Sequence, residues 1–151
     1  MASLGDFFSD DRKNAFVEQS ITVGSVIKVW LTTTTPPKEK RIIVVGTTST
    51  GDYLGVVLIN SEINWNVHRN REIIDYQYFL RIEDCSFIDH DSYADCLNLH
   101  EIARSMVLAE VVNDLQKALG RVADDLFADI LGRVKTSPAI TPKTRKKYGL
   151  T

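Results

Sequence analysis

The sequence from residue 40 to residue 62, KRIIVVGTTSTGDYLGVVLINSE, decides the predicted fold. It holds two apolar runs, residues 42–45 and residues 53–59, and both are rich in the β-branched residues that suit a half-buried strand. The polar TTSTGD segment between them is typical of a turn, so the stretch predicts a β-hairpin. Antiparallel pairing across that turn brings Arg41 and Asn60 to the same open end of the sheet.

Length and composition indicate one soluble globular domain. The chain has 151 residues, of which 44% are hydrophobic and 25% charged, enough to bury a sizeable core. Its net charge of -2 gives no general attraction for a polyanion, so a nucleic-acid surface has to be a local patch. We expect a cytoplasmic location, because the sequence lacks a secretory signal and no apolar run reaches the ~20 residues of a membrane span.

The cysteines and two of the histidines give no sign of a metal site. Cys85 and Cys96 are too few for a disulfide framework or a four-cysteine zinc site, and we expect both to be buried as small apolar side chains. His90 and His100 have no metal-ligand partner at a useful spacing. These two histidines are therefore expected to be structural or exposed.

Outside the hairpin, the composition predicts further strands before any long helix. Residues 1–22 form a polar N-terminal extension in which Ser9 or Asp10 can cap a short helix. Strand-like composition returns in three segments, residues 23–31, 76–82 and 92–102.

The last third of the chain changes to helical spacing. Apolar residues recur every three or four positions over residues 107–119 and 122–134, and each stretch predicts a helix. Pro138 and Pro142 are expected to end regular structure, so residues 135–151 form a basic tail that is either solvated or in contact with RNA phosphates. Short strands followed by helices predict a mainly β, α+β fold: a small, strongly bent antiparallel sheet or barrel packed by terminal helices.

The order of these elements resembles that of the PemK/MazF-type family, the toxins of bacterial toxin–antitoxin pairs. The matching segments are VGSVI at 23–27, KRIIVV at 40–45, GVVLI at 55–59, DSYADC at 91–96 and LGRVADDL at 119–126. The resemblance covers residues 23–134 and implies an SH3-like barrel, a homodimer and cleavage of single-stranded RNA without a metal ion or other cofactor. It also implies an antitoxin protein as a partner.

The same resemblance assigns the first candidate catalytic residues. The family's arginine at the start of the second strand falls on Arg41, and its hydroxyl-bearing residue at the end of the third strand falls on Asn60, with Ser61 one place later. Two positions depart from the family pattern: Ile42 stands where a proline often follows the arginine, and asparagine replaces threonine. A register slip by one residue would turn Ser61 toward the opposite face of the sheet.

The chemistry of metal-free RNA cleavage fits these residue types. The ribose 2′-hydroxyl attacks phosphorus, and a guanidinium suits the growing negative charge because its fork of donors matches phosphate oxygens. Arg41 is the candidate for that role, with a second hydrogen bond from Asn60 or Ser61. For proton transfer the sequence offers Glu62 and His68, and an imidazole with a pKa near ~6.5 is well matched to the task.

Positive and aromatic side chains around the hairpin predict an RNA-binding surface. Trp65 with Arg69 and Arg71 combines a stacking face with positive charge, as single-stranded nucleic acid requires. Lys38 and Lys40 add cations at the start of the second strand. These residues also have a purely structural interpretation: Trp65 can cap the hydrophobic core, and cations at the start of a strand are often solvated.

Two hypotheses about function follow. In the first, the protein is an endoribonuclease toxin that cleaves single-stranded RNA by 2′-hydroxyl attack. In the second, it is a catalytically silent PemK/MazF-like module that binds RNA or a protein partner, because Asn60 stands where a hydroxyl is expected.

Overall fold

The computed structural model describes residues 10–32, 36–63 and 74–151. Its strands are β1 (Ser25–Leu31), β2 (Lys38–Thr47), β3 (Tyr53–Asn60), β4 (Gln77–Leu80), β5 (Ser92–Asp95), β6 (His100–Ala103) and β7 (Ala118–Arg121). Its helices are α1 (Asp10–Ser20), α2 (Arg104–Asn113), α3 (Asp124–Thr136) and α4 (Pro142–Lys147). Within these ranges, none of the helices has the length and hydrophobicity that a membrane span requires.

The seven strands form one antiparallel sheet that curls into a half-barrel. Its order is β4-β5-β3-β2-β1-β7, and β6 pairs with β3 on the edge that β3 also shares with β5. Register shifts between Val44 and Gly46 and between Val26 and Ile27 are the local irregularities that bend strands and increase their twist. The predicted hairpin is β2 and β3, and the predicted α+β fold class is confirmed.

Strand alternation divides the sheet between two hydrophobic cores. Ile43 and Val57 belong to the core covered by α3 and the C-terminal segment, whereas Ile42 and Leu58 belong to the core covered by α1 and α2. We name these sides the Arg41 face and the Lys40 face, after the β2 residues that continue each row. The N-terminal helix was predicted correctly, and it packs on the Lys40 face through the buried Val17.

Two sequence predictions in the middle of the chain are wrong. Residues 92–102 form two short strands, β5 and β6, which pair with opposite ends of β3. The helix expected over residues 107–119 ends at Asn113, because the Asp114 side chain accepts a hydrogen bond from the Gln116 N–H and starts a 3₁₀ turn. Gly120, inside the stretch after this helix, lies in β7 beside Val26.

The prediction that regular structure ends at Pro138 and Pro142 is also wrong. Pro142 begins helix α4, where a proline in the first turn loses no intrahelical hydrogen bond. After this helix the chain turns back into the protein: Tyr148 and Leu150 are each only 2% exposed and belong to the core on the Arg41 face. Gly46 and Gly55 make room for Tyr148, since a Cβ at either position would meet it.

Candidate functional site

A cleft of about 230 Å³ opens where β2 begins and β3 ends. We call it the strand-end cleft. Among its lining residues are Lys38, Lys40, Arg41, Ser61, His90 and Ser92. The hairpin supplies the first four, and the loop before β5 supplies His90 because β5 pairs with the end of β3.

Arg41 lines this cleft with a side chain that is 26% exposed. Its Nη2 lies 3.4 Å from Asp89 Oδ2, and its Nε is buried without a hydrogen-bond partner among the described residues. Nε and Nη2 lie on the same edge of the guanidinium, which is a fork that binds two oxygens of one oxyanion. Because Nε is buried, an oxyanion in the cleft meets the exposed part of the guanidinium, and it pairs with Nε only if the side chain turns toward the cleft.

Asp89 joins Arg41 to His90. The Nδ1 atom of His90 lies 2.6 Å from Asp89 Oδ1, while the other carboxylate oxygen faces Arg41. The hydrogen bond from His90, and then the positive charge of Arg41, lower the pKa of Asp89. If His90 Nδ1 carries the proton toward Asp89, Nε2 is left as the basic nitrogen. This pair is the arrangement that orients an imidazole for proton transfer.

Asn60 points away from Arg41. Arg41 pairs in register with Ile59, so Asn60 lies opposite Lys40 on the other face of the sheet. There its Oδ1 atom accepts a hydrogen bond from Lys40 Nζ at 2.5 Å. Burial and then the nearby charge of Lys38 lower the pKa of Lys40. The two residues do share an open end of the sheet, as predicted, but it is Ser61 that lines the cleft with Arg41.

Four predicted site residues, Trp65, His68, Arg69 and Arg71, lie outside the described residues. The two cysteines are buried as expected, and burial raises the pKa of Cys96 to about 12, which keeps its thiol protonated. Within residues 10–32, 36–63 and 74–151, no group of three or more His, Cys, Asp or Glu side chains is arranged to hold a metal ion.

Comparison with known proteins adds no family: no protein-family model matches the chain, and no curated protein does. The resemblance to PemK/MazF-type toxins therefore stays a prediction. The antitoxin partner and the homodimer that it implies stay predictions with it.

Sequence reasoning missed His90 as a candidate. His90 follows Asp89 directly, but an Asp-His pair in a loop carries no information about which strand it will face. The contact that links the pair to Arg41 is made by Asp89; it spans 48 residues of sequence and depends on the pairing of β5 with β3. Only the tertiary structure brings the histidine to the cleft.

Proposed function

We propose that this protein is an endoribonuclease that binds single-stranded RNA in the strand-end cleft and cleaves it by attack of the ribose 2′-hydroxyl. The observation that carries the proposal is the partly exposed guanidinium fork of Arg41 in the cleft, whose Nη2 contacts the exposed carboxylate of Asp89 at 3.4 Å, a long contact that a phosphate can replace. A phosphodiester offers two non-bridging oxygens at the spacing of that fork. Lys38 and Lys40 add the local positive charge that an RNA backbone requires.

His90 is the proposed general base in place of the predicted His68. Its Nε2 accepts the proton of the 2′-hydroxyl as the 2′ oxygen bonds to phosphorus. The bond from phosphorus to the 5′ oxygen breaks, and the leaving oxygen takes a proton from the solvent of the open cleft. The products are a 2′,3′-cyclic phosphate and a 5′-hydroxyl. Arg41 stabilises the negative charge that grows on the phosphoryl oxygens, and Ser61 lies beside it as a second donor.

A second candidate function is RNA binding without cleavage. It is favoured by the engagement of Asn60 with Lys40, which leaves the residue expected to assist Arg41 on the other face of the sheet. The same cleft would then hold the RNA backbone without activating it.

The test is incubation of the purified protein with end-labelled single-stranded RNA in excess chelator. We expect fragments that end in a 2′,3′-cyclic phosphate, and no cleavage of the matching DNA strand, which lacks the nucleophile. Arg41→Ala should lower kcat/KM by about 10²–10³-fold, the effect of removing one donor to a developing oxyanion. His90→Gln should lower it by about 10²–10⁴-fold.

Arg104→Ala is the matched control. The Arg104 side chain is 23% exposed against 26% for Arg41, and each is ion-paired with one carboxylate, Glu18 for Arg104. Arg104 lies beside Asp52, at the other end of β3 from the cleft. Its loss should leave cleavage unchanged. RNA binding that depends on Arg41 without any cleavage would favour the silent module, and no binding at low salt would refute both.

A further inference from the structure

A row of four side chains crosses the open end of the Lys40 face. Lys40 of β2 lies opposite Asn60 of β3, Asn60 pairs in register with Tyr93 of β5, and Tyr93 pairs with Phe79 of β4. Residues in register on neighbouring strands point to the same face of a sheet. The row therefore presents a cation, an amide and two aromatic rings side by side.

The aromatic end of this row is accessible. Phe79 lies in the edge strand β4 and is 46% exposed, and Tyr93 is half-buried. Their ring centroids are 5.3 Å apart at an interplanar angle of 44°. Asp95 lies two residues further into the sheet on the same face, where it is buried and accepts a hydrogen bond from Gln77.

We propose that Phe79 and Tyr93 form a base-stacking platform for single-stranded RNA whose backbone is held by the cations at the start of β2. The proposal rests on the proposed function and adds to it the place where bases bind. Aromatic rings on the open face of a sheet stack two or three unpaired bases in a common class of RNA-binding domain.

The positive charges near the two rings favour RNA as their ligand. Lys40 is on the same row as the rings, Lys38 is its neighbour on the same face, and both line the strand-end cleft with Arg41. Neighbouring strands are ~4.8 Å apart, so the row from β2 to β4 spans roughly 14 Å. If the phosphates of an oligonucleotide bind the lysines, its neighbouring bases are close enough to stack on the rings. An apolar protein surface would offer these two lysines no negatively charged acceptor of its own.

The test compares two probes of about ten residues, a length within known single-strand site sizes. One is a fluorescein-labelled 2′-O-methyl RNA of mixed sequence, in which the blocked 2′ oxygen prevents cleavage. The other has the same methylated ribose-phosphate chain but no bases. We expect Phe79→Leu to weaken binding of the RNA by about 5- to 30-fold, as loss of base stacking does. Binding of the base-free chain should change by less than about twofold.

Tyr53→Leu is the control variant. Tyr53 is 47% exposed and lies at the opposite end of β3 from Asn60, so its loss should leave both affinities unchanged. Equal weakening of both probes by Phe79→Leu, or no weakening of either, would overturn the platform.

Arg41→Ala separates the platform from the proposed function. If it weakens both probes while Phe79→Leu weakens neither, the platform is wrong and the backbone site stands. If Arg41→Ala has no effect while Phe79→Leu weakens only the RNA, the platform stands and the backbone site is wrong. A wild-type protein that binds neither probe refutes both.

A second measurement needs no variant. Photo-crosslinking of wild-type protein to a 4-thiouridine RNA should modify Phe79 or Tyr93, and crosslinks found only at other residues would overturn the proposal.

Discussion

The C-terminal residues after helix α4 should carry a large share of the stability of the fold, and Tyr148 is the residue that tests it. Tyr148 is 2% exposed, its ring lies against Gly55 of the central hairpin, and its backbone and Cβ lie against Gly46. Its hydroxyl donates a hydrogen bond to Glu101 Oε2 at 2.7 Å, and burial, together with this bond, raises the pKa of the phenol. Tyr148→Ala would empty this space between the C-terminal segment and the sheet.

Two variants separate what the ring and the hydroxyl of Tyr148 contribute to the free energy of unfolding. Removing a buried aromatic ring costs about 3–5 kcal/mol in other cores, and we expect Tyr148→Ala to lower the free energy of unfolding by that amount. Tyr148→Phe removes only the hydrogen bond, and Glu101 keeps its ion pair with Lys147 at 2.8 Å. The expected cost is about 1 kcal/mol, the usual net value of one hydrogen bond.

Urea unfolding followed by far-UV circular dichroism measures both changes. The control is Met106→Ala, because Met106 is 51% exposed and surface substitutions of this kind change stability by about 0.5 kcal/mol or less. If Tyr148→Ala costs no more than Met106→Ala does, the C-terminal segment is not part of the core and the reasoning is refuted.

Gly55→Ala provides an independent check on the same contact. A Cβ at Gly55 would lie 3.0 Å from two ring atoms of Tyr148, and overpacking of this kind costs about 1–3 kcal/mol. In a Tyr148→Ala background the clash is gone, so the cost of Gly55→Ala should shrink. A double-mutant cycle with no coupling between the two positions would show that they do not touch.

Two further predictions concern buried polar groups on the Lys40 face. Burial lowers the pKa of His100 from 6.5, so the unfolded chain binds a proton first and the free energy of unfolding should fall as the pH drops through about 6.5. His100→Gln should reduce the change of the urea midpoint between about pH 7 and pH 5. An unchanged pH dependence would exclude this histidine as the cause. Asp95 accepts hydrogen bonds from Gln77, Leu97 and Asn98. Asp95→Ala should lower the free energy of unfolding by about 3 kcal/mol, because it leaves buried donors unpaired. A decrease below about 1 kcal/mol in the same assay would contradict this prediction.

The parts of the fold that follow from local pattern were predictable. The hairpin of β2 and β3, the N-terminal helix and helix α3 each carry their own periodicity or composition. Strand β7 does not, because its sequence ALGR is short and its pairing with β1 specifies it. Helix α4 does have a local start signal, Pro142 in its first turn after the N-cap Thr141, but the sequence-based prediction treats this proline only as the end of regular structure. The burial of Tyr148 depends on two glycines about a hundred residues earlier, and no local pattern connects them.

The candidate site divides in the same way. Arg41, Lys40 and Ser61 lie in one hairpin, so the sequence predicted their proximity and the structure brings them to one cleft. The register decides which face each side chain occupies, and it pairs Arg41 with Ile59, which sends Asn60 to the other side. His90 reaches the cleft only through the pairing of β5 with β3, which sequence periodicity does not reveal.

The central claim is that the partly exposed guanidinium of Arg41 receives a phosphate of RNA. The most direct measurement is the ¹H–¹⁵N NMR signal of the Arg41 Nε–H group during titration with the non-cleavable 2′-O-methyl RNA, with the Arg104 signal as internal reference. We predict a downfield shift of the Arg41 proton that saturates with binding, because a phosphate bound at the guanidinium brings negative charge beside it, while the Arg104 signal stays fixed. An Arg41 signal that does not move when the RNA is fully bound would contradict the claim.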